Sequence, residues 1–146
     1  MSRAIDYMWA YIAGFLDGDG CIYCWINSAN TRFPDSASYT NKKIARVRFT
    51  QTSGAFLVLY KIQEFFTAQG IVSNIFRKKP PRNVKCHNAM DLEIGSMDSI
   101  EKILENVLPY LIVKKRKAFE TLELIREAKS LKDKYGQYYR KYLTRA

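Results

Sequence analysis

The sequence predicts an α+β domain in which one antiparallel sheet of four strands is covered by helices on a single face. Three observations carry that expectation. The chain has 146 residues, a length that suits one domain. Four short segments alternate apolar and polar side chains at the strand period. Four others repeat apolar residues at the helical period, in the order α-β-β-α-β-β-α-α. No internal repeat or low-complexity linker interrupts this order, so residues 1–146 read as a single domain with a basic C-terminal extension from about 132.

The elements follow in turn. Asp6 caps a first helix that runs to about Gly18; Met8, Trp9, Ile12, Phe15 and Leu16 share one side, and Gly20 breaks it. Acids flank the apolar run Tyr7 to Leu16 and no small-residue cleavage site follows it, so it reads as part of the mature fold rather than a signal peptide. From Cys21 to Asn27, Ile22, Cys24 and Ile26 face one way while Tyr23, Trp25 and Asn27 face the other. Ser28 to Asn41 is a polar hairpin loop. Ile44 to Gln51 alternates again, with Ala45, Val47 and Phe49 inward and Arg46, Arg48 and Thr50 outward.

A second helix spans Phe56 to Ala68 and closes at Gly70. Ile71 to Lys79 is a weaker strand, followed by a turn at Pro80, Pro81, Arg82 and Asn83. In the next run Val84, Cys86, Met90, Leu92 and Ile94 share one parity, and Lys85, His87, Asp91 and Glu93 take the other. Ser96 caps a helix carrying Met97, Ile100, Ile103, Leu104 and Val107, which Pro109 ends. A last helix runs from about Val113 to Leu131, before a tail rich in Tyr, Lys and Arg.

Composition narrows the function. Hydrophobic residues at 47% and charged residues at 26% describe a globular chain and not a disordered one. The net charge of +10 and a pI near 9.6 point to a polyanionic partner. The excess is concentrated: residues 42–88 carry +9 and residues 114–146 carry +7, while the remainder is acidic. Blocks of one sign suggest a binding surface rather than a solvated helix face. The uncovered face of the sheet would present Tyr23, Trp25, Asn27, Arg46, Arg48, Thr50, Lys85 and His87. Such donors and rings suit a DNA groove, where Arg reads guanine and Asn reads adenine. Arg77 and Lys79 are expected to continue this face, with Arg82 and Asn30, Arg32, Tyr39 and Lys42 contributing from turn and loop. Tail residues Arg140 and Lys141 are candidates for backbone contacts.

The last turn of the first helix holds Asp17 and Asp19, with Gly18 between and Gly20 behind. Acids at a helix C-terminus face the negative end of the macrodipole. A local rule broken twice in a basic protein suggests a function, and carboxylates beside a phosphate-facing surface suit Mg2+. On the same helix Ala10, Ala13, Gly14 and Asp17 form a stripe of small residues that would let a second helix approach closely.

The segment Ile12-Ala13-Gly14-Phe15-Leu16-Asp17-Gly18-Asp19-Gly20 resembles the LAGLIDADG motif of homing endonucleases. Ala13, Gly14, Asp17, Asp19 and Gly20 are identical to it, and the α-β-β-α-β-β-α order extends the resemblance to about Ile125. A single motif is similar to the homodimeric members of the family. The resemblance implies that fold with a saddle-like sheet, a metal-binding carboxylate at Asp19 and a metal-binding backbone carbonyl at Gly18. It implies a polar residue near the attacking water at Gln51 and a basic residue beside the scissile phosphate at Lys114. Asp17 would be structural. Lys115, Arg116 and Lys117 follow Lys114, which leaves open which cation serves the site. The implied function is a homodimeric endonuclease that cuts both strands of a long pseudo-palindromic DNA target. Mg2+ is the implied cofactor, with Mn2+ as a substitute and Ca2+ bound without cleavage.

Other chemistries fit less well. His87 is the one histidine, which argues against Ser/His/Asp or Cys/His catalysis. Cys21 and Cys24 have a zinc-like spacing but opposite parity and no second pair; Cys24 and Cys86 read as core thiols. Three cysteines do not make a disulfide framework, and no apolar run spans a membrane, so an intracellular setting in cytoplasm or organelle is expected. Two rival functions remain: an RNA-binding intron maturase, and a DNA-binding regulator of the same fold with an inactive site.

Overall fold

A computed structural model of the protein describes residues 3–24, 45–52, 54–78 and 88–143, with side chains described through residue 130. Trp25, Asn27, Asn30, Arg32, Tyr39, Lys42, Lys79, Arg82, Lys85, Cys86 and His87 lie outside the described residues. The element order is α1 (Arg3–Asp19), β1 (Gly20–Cys24), β2 (Ala45–Thr52), α2 (Leu57–Ala68), β3 (Asn74–Lys78), β4 (Ala89–Ile94), α3 (Met97–Val107), a 3-10 turn (Leu108–Tyr110) and α4 (Lys115–Leu143). The expected α+β architecture is present.

The four strands form one sheet in the order β1-β2-β4-β3, every pair antiparallel. Register aligns Ile22 with Val47, Val47 with Ile94, and Phe49 with Leu92, which is paired in turn with Ile75. These residues line the helix-covered face. Val47, Phe49, Leu92 and Ile94 are fully buried there with Ile12, Leu16, Leu59, Ile62, Phe66, Ile100 and Ile103 from the helices. Trp9 meets Phe65 edge-on at 5.0 Å between ring centroids, and Phe49 lies between Phe15 and Phe66 at 5.7 and 6.1 Å. Aromatic contacts of this geometry add to the transfer free energy of burial.

Several local expectations are corrected. Helix α1 starts at Arg3, so Asp6 lies within its first turn, where it favours the dipole without capping. Ser96 does occupy the N-cap of α3, but its side chain makes no cap bond; its carbonyl accepts from Ile100 N at 2.9 Å. Helix α4 does not stop near Leu131 but continues to Leu143, through much of the segment read as a tail. Gly70 (φ +75°) ends α2 as expected: its N–H bonds Thr67 O at 3.0 Å and Ile71 N bonds Phe66 O at 2.8 Å, the left-handed closure that favours glycine.

Helices α3 and α4 are clamped by ion pairs. Arg126 Nη2 lies 2.6 Å from Glu105 Oε1, and Lys129 Nζ lies 2.8 Å from Glu101 Oε1. No helix among the described residues is long and apolar enough to cross a membrane.

Candidate functional site

Helix α1 runs into β1 without a loop, and glycine makes that junction feasible. A Cβ on Gly20 would stand 2.5 Å from Leu16 Cδ1 and 2.8 Å from Leu16 Cα, so no larger residue fits without displacing backbone. The junction fixes Asp19 at the sheet's edge. Gly20 pairs with Phe49, and two residues further along β2 Gln51 shares the parity of Phe49, placing its side chain under the end of α1. Gln51 Nε2 donates to Asp19 Oδ2 at 3.1 Å. Gly18 and Asp19 are both exposed.

Lys114 meets the same end of α1 from the turn before α4. Its Nζ donates to Leu16 O and Asp17 O, each at 2.7 Å, the last carbonyls of α1 that lack helical partners. An ammonium at a helix C-terminus offsets the dipole and the adjacent carboxylates. Among the four consecutive cations, Lys114 is the one bonded to the motif turn; Arg116 instead pairs with Glu120 on its own helix at 3.0 Å.

The Asp17 carboxylate bonds the turn before α4 instead of Gln51. Its Oδ2 accepts from Ile112 N at 2.7 Å and its Oδ1 from Lys114 N at 2.9 Å, tying α1 to the turn that starts α4. Burial pushes its carboxyl up, yet the N–H groups of Ile112, Lys114 and Val113 and the Lys114 charge outweigh burial and hold it below its ordinary value.

The stripe expected to receive a second helix is partly corrected. Ala13 is fully buried against its own core and cannot meet another chain. The outward stripe is Ala10, Gly14 and Gly18, flanked by Tyr7 at 70% and Tyr11 at 53% exposure. A Cβ on Gly14 would meet nothing within 4 Å, so packing inside the chain does not require glycine there.

On the uncovered face β1 and β2 present Tyr23, Arg46, Arg48 and Thr50, as parity predicts. The third strand is corrected. Arg77 shares the parity of Ile75 and so turns toward the helix side, and Phe76 and Lys78 hold the open-face positions. Asn74 begins the strand among apolar neighbours, which blurred the alternation in the sequence. The larger omission concerns β4. Asp91 and Glu93 stand on the open face between the arginines: Arg46 Nε lies 3.1 Å from Glu93 Oε1, and Arg48 Nη1 lies 3.6 Å from Asp91 Oδ2. Their parity is readable in the sequence, but net charge does not reveal acids set between arginines. Burial, assisted by Cys21, raises the Tyr23 phenol above its ordinary value against the pull of Arg48. Cys21 and Cys24 are free thiols, exposed and half-buried respectively.

Among the described residues no group of three or more His, Cys, Asp or Glu converges. The lone exposed Asp19 carboxylate does not build a zinc-type cage, but it suits Mg2+, which takes one or two carboxylates and completes its shell with water and phosphate.

Comparison with known proteins agrees with this architecture. The family model described as LAGLIDADG endonuclease matches residues 12–125. A structure of the homing endonuclease I-CvuI with its target in 2 mM Ca superposes with TM-score 0.65 at 23% identity, covering 90% of this chain and 74% of that one. I-CvuI with the I-CreI target in 2 mM Mg, its DNA uncleaved, gives 0.61 at 20% identity over 86% and 69%. The archaeal intron-encoded homing endonuclease I-Vdi141I, complexed with DNA, gives 0.60 at 20% identity over 94% and 84%. No curated protein matches.

Proposed function

The chain belongs to the LAGLIDADG endonuclease family, and from that premise we propose that it is a homodimeric, sequence-specific endonuclease that hydrolyses both strands of a duplex with a divalent metal. The observation that carries this reading is the convergence of Asp19, Gln51 and Lys114 at the C-terminus of α1, beside a sheet face that displays Arg46 and Arg48.

Phosphodiester hydrolysis needs a placed water, neutralisation of the charge on phosphorus oxygens and help for the departing oxygen. Asp19 and the Gly18 carbonyl would hold the divalent ion, and such an ion activates water and stabilises the developing and leaving oxygens. The rest falls to the chain. Gln51 directs its NH2 to Asp19, so its carbonyl end is the acceptor that orients a water; an amide does not take up the proton. Lys114 brings a positive charge to the motif turn, where it offsets the phosphate's charge. Arg46 and Arg48 address base edges from the sheet. One motif per chain supplies one Asp19, so cutting two strands requires a second copy, most simply by C2 symmetry.

Asp19→Asn tests the assignment. Cleavage of a target-bearing plasmid in Mg2+ should disappear while binding of the same DNA persists, because the change removes metal-binding charge and no groove contact. Wild-type cutting by Asp19→Asn would sink the assignment. Binding without cleavage by the wild type would favour the inactive regulator.

A further inference from the structure

The centre of the open sheet face is not simply basic. Asp91 is only 6% exposed, although parity turns it to the uncovered side. Its Oδ1 accepts a 2.6 Å hydrogen bond from Thr50 Oγ1, its partner in register on β2. Its Oδ2 faces Arg48 Nη1 at 3.6 Å. Arg48 in turn donates from Nη2 to the Tyr23 hydroxyl, and its guanidinium carbon lies 4.9 Å from that ring's centroid. Thr50, Asp91, Arg48 and Tyr23 therefore form one connected chain across three strands. The neighbouring Arg46–Glu93 pair is simpler and more open, with side chains 35% and 19% exposed against 22% and 9% for Arg48 and Asp91.

A carboxylate here works against affinity, since it repels phosphates and loses hydration on burial. The buried Nε–H of Arg48 also makes no hydrogen bond among the described residues. These costs have a counterpart in geometry. A guanidinium offers five donors in a rigid fork, and one held by a carboxylate on one side and a phenol on the other points its remaining donors in a fixed direction. An unheld arginine would follow the nearest phosphate, which adds affinity but no sequence information.

We propose that Asp91 is a specificity-determining positioning residue: it fixes Arg48 for base readout and lowers the affinity of the face for unmatched DNA. The proposal rests on the reading of the chain as a DNA-binding nuclease. It assigns Glu93 a weaker version of the same role toward Arg46.

The test starts by selecting preferred duplexes from a randomised library with the wild-type protein. Binding to the selected duplex and to random-sequence duplex is then measured across salt for wild type, Asp91→Asn and Arg48→Ala. Asp91→Asn should bind random-sequence duplex several-fold more tightly, with a salt slope steeper by about one unit. It should also lose about tenfold in discrimination, within the range of one arginine–base contact, at the same base pair that Arg48→Ala loses. A merely structural role would weaken both duplexes together. That result, or unchanged discrimination at the Arg48 base pair, overturns the proposal. If Asp91→Asn does not fold by circular dichroism, Thr50→Val removes the other anchor without altering charge; it should relax the same base pair at constant salt slope, and unchanged discrimination there overturns the proposal equally. Failure of the wild type to enrich any duplex overturns the functional reading and the clamp with it. Normal enrichment with unaltered discrimination in the variants overturns the clamp alone.

Discussion

Lys114 carries three N–H donors and spends two of them on the carbonyls of Leu16 and Asp17. Two of its donors hold the motif turn together, and in the proposed reading the third would face the phosphate. Lys114→Met should therefore lower stability by about 1.5–3 kcal/mol, the magnitude of hydrogen bonds to a charged group, and slow cleavage as well. Thermal melting and a plasmid cleavage time course check both halves; an unchanged melt would show that the capping bonds are incidental. The sequence points to Lys114 only through the resemblance, because four cations in a row look alike until the turn geometry shows which one bonds the end of α1. Asp91 and Glu93 show the opposite failure. Their strand parity was visible, but partners 41 and 47 positions away in the chain, Thr50 and Arg46, are found only once register is known. The parity of Arg77 is not fixed by the sequence, because a short strand opening on Asn74 gives too few alternations.

At the scale of elements, the bond from Asp17 to the turn before α4 joins the motif helix to the C-terminal helix across some 95 residues of chain. The interaction favours the ionised carboxylate, so its folded-state pKa lies below the unfolded value. A depressed acid contributes stability above the unfolded pKa and loses it as pH falls through that range, about 3.9 for aspartate. Asp17→Asn should accordingly melt lower than wild type at neutral pH, and the gap should close as pH drops below about 4. A gap independent of pH would mean that shape, not charge, holds the turn. Strands β1, β2 and β4 and the apolar helices were legible because each buries one periodic face. The C-terminal half of α4 was not, since apolar periodicity fades after Leu131 while the helix continues to Leu143. Lys, Gln, Arg and Leu still favour helix there, but a pattern search that requires a buried stripe stops too early.

For the whole molecule, the outward face of α1 decides whether the proposed homodimer is built as the motif suggests. Ala13 belongs to the core of its own chain, leaving Ala10, Gly14 and Gly18 as the surface a second helix would meet, between Tyr7 and Tyr11. Within one chain Gly14 has no packing reason to be glycine, since an added Cβ touches nothing. Replacing glycine inside a helix gains helix propensity, by about 0.8–1 kcal/mol relative to alanine and slightly less for leucine. Gly14→Leu should thus leave the folded subunit intact, or slightly more stable, while its side chain wedges two α1 helices apart. Light scattering should report a dimer for the wild type and a monomer for the variant, and cleavage should fall although Asp19, Gln51 and Lys114 are untouched. The wild-type melting temperature should rise with protein concentration, as mass action requires of a dimer, whereas that of the variant should not. A Gly14→Leu protein that keeps the size and cutting rate of wild type would place the subunit contact elsewhere on the surface.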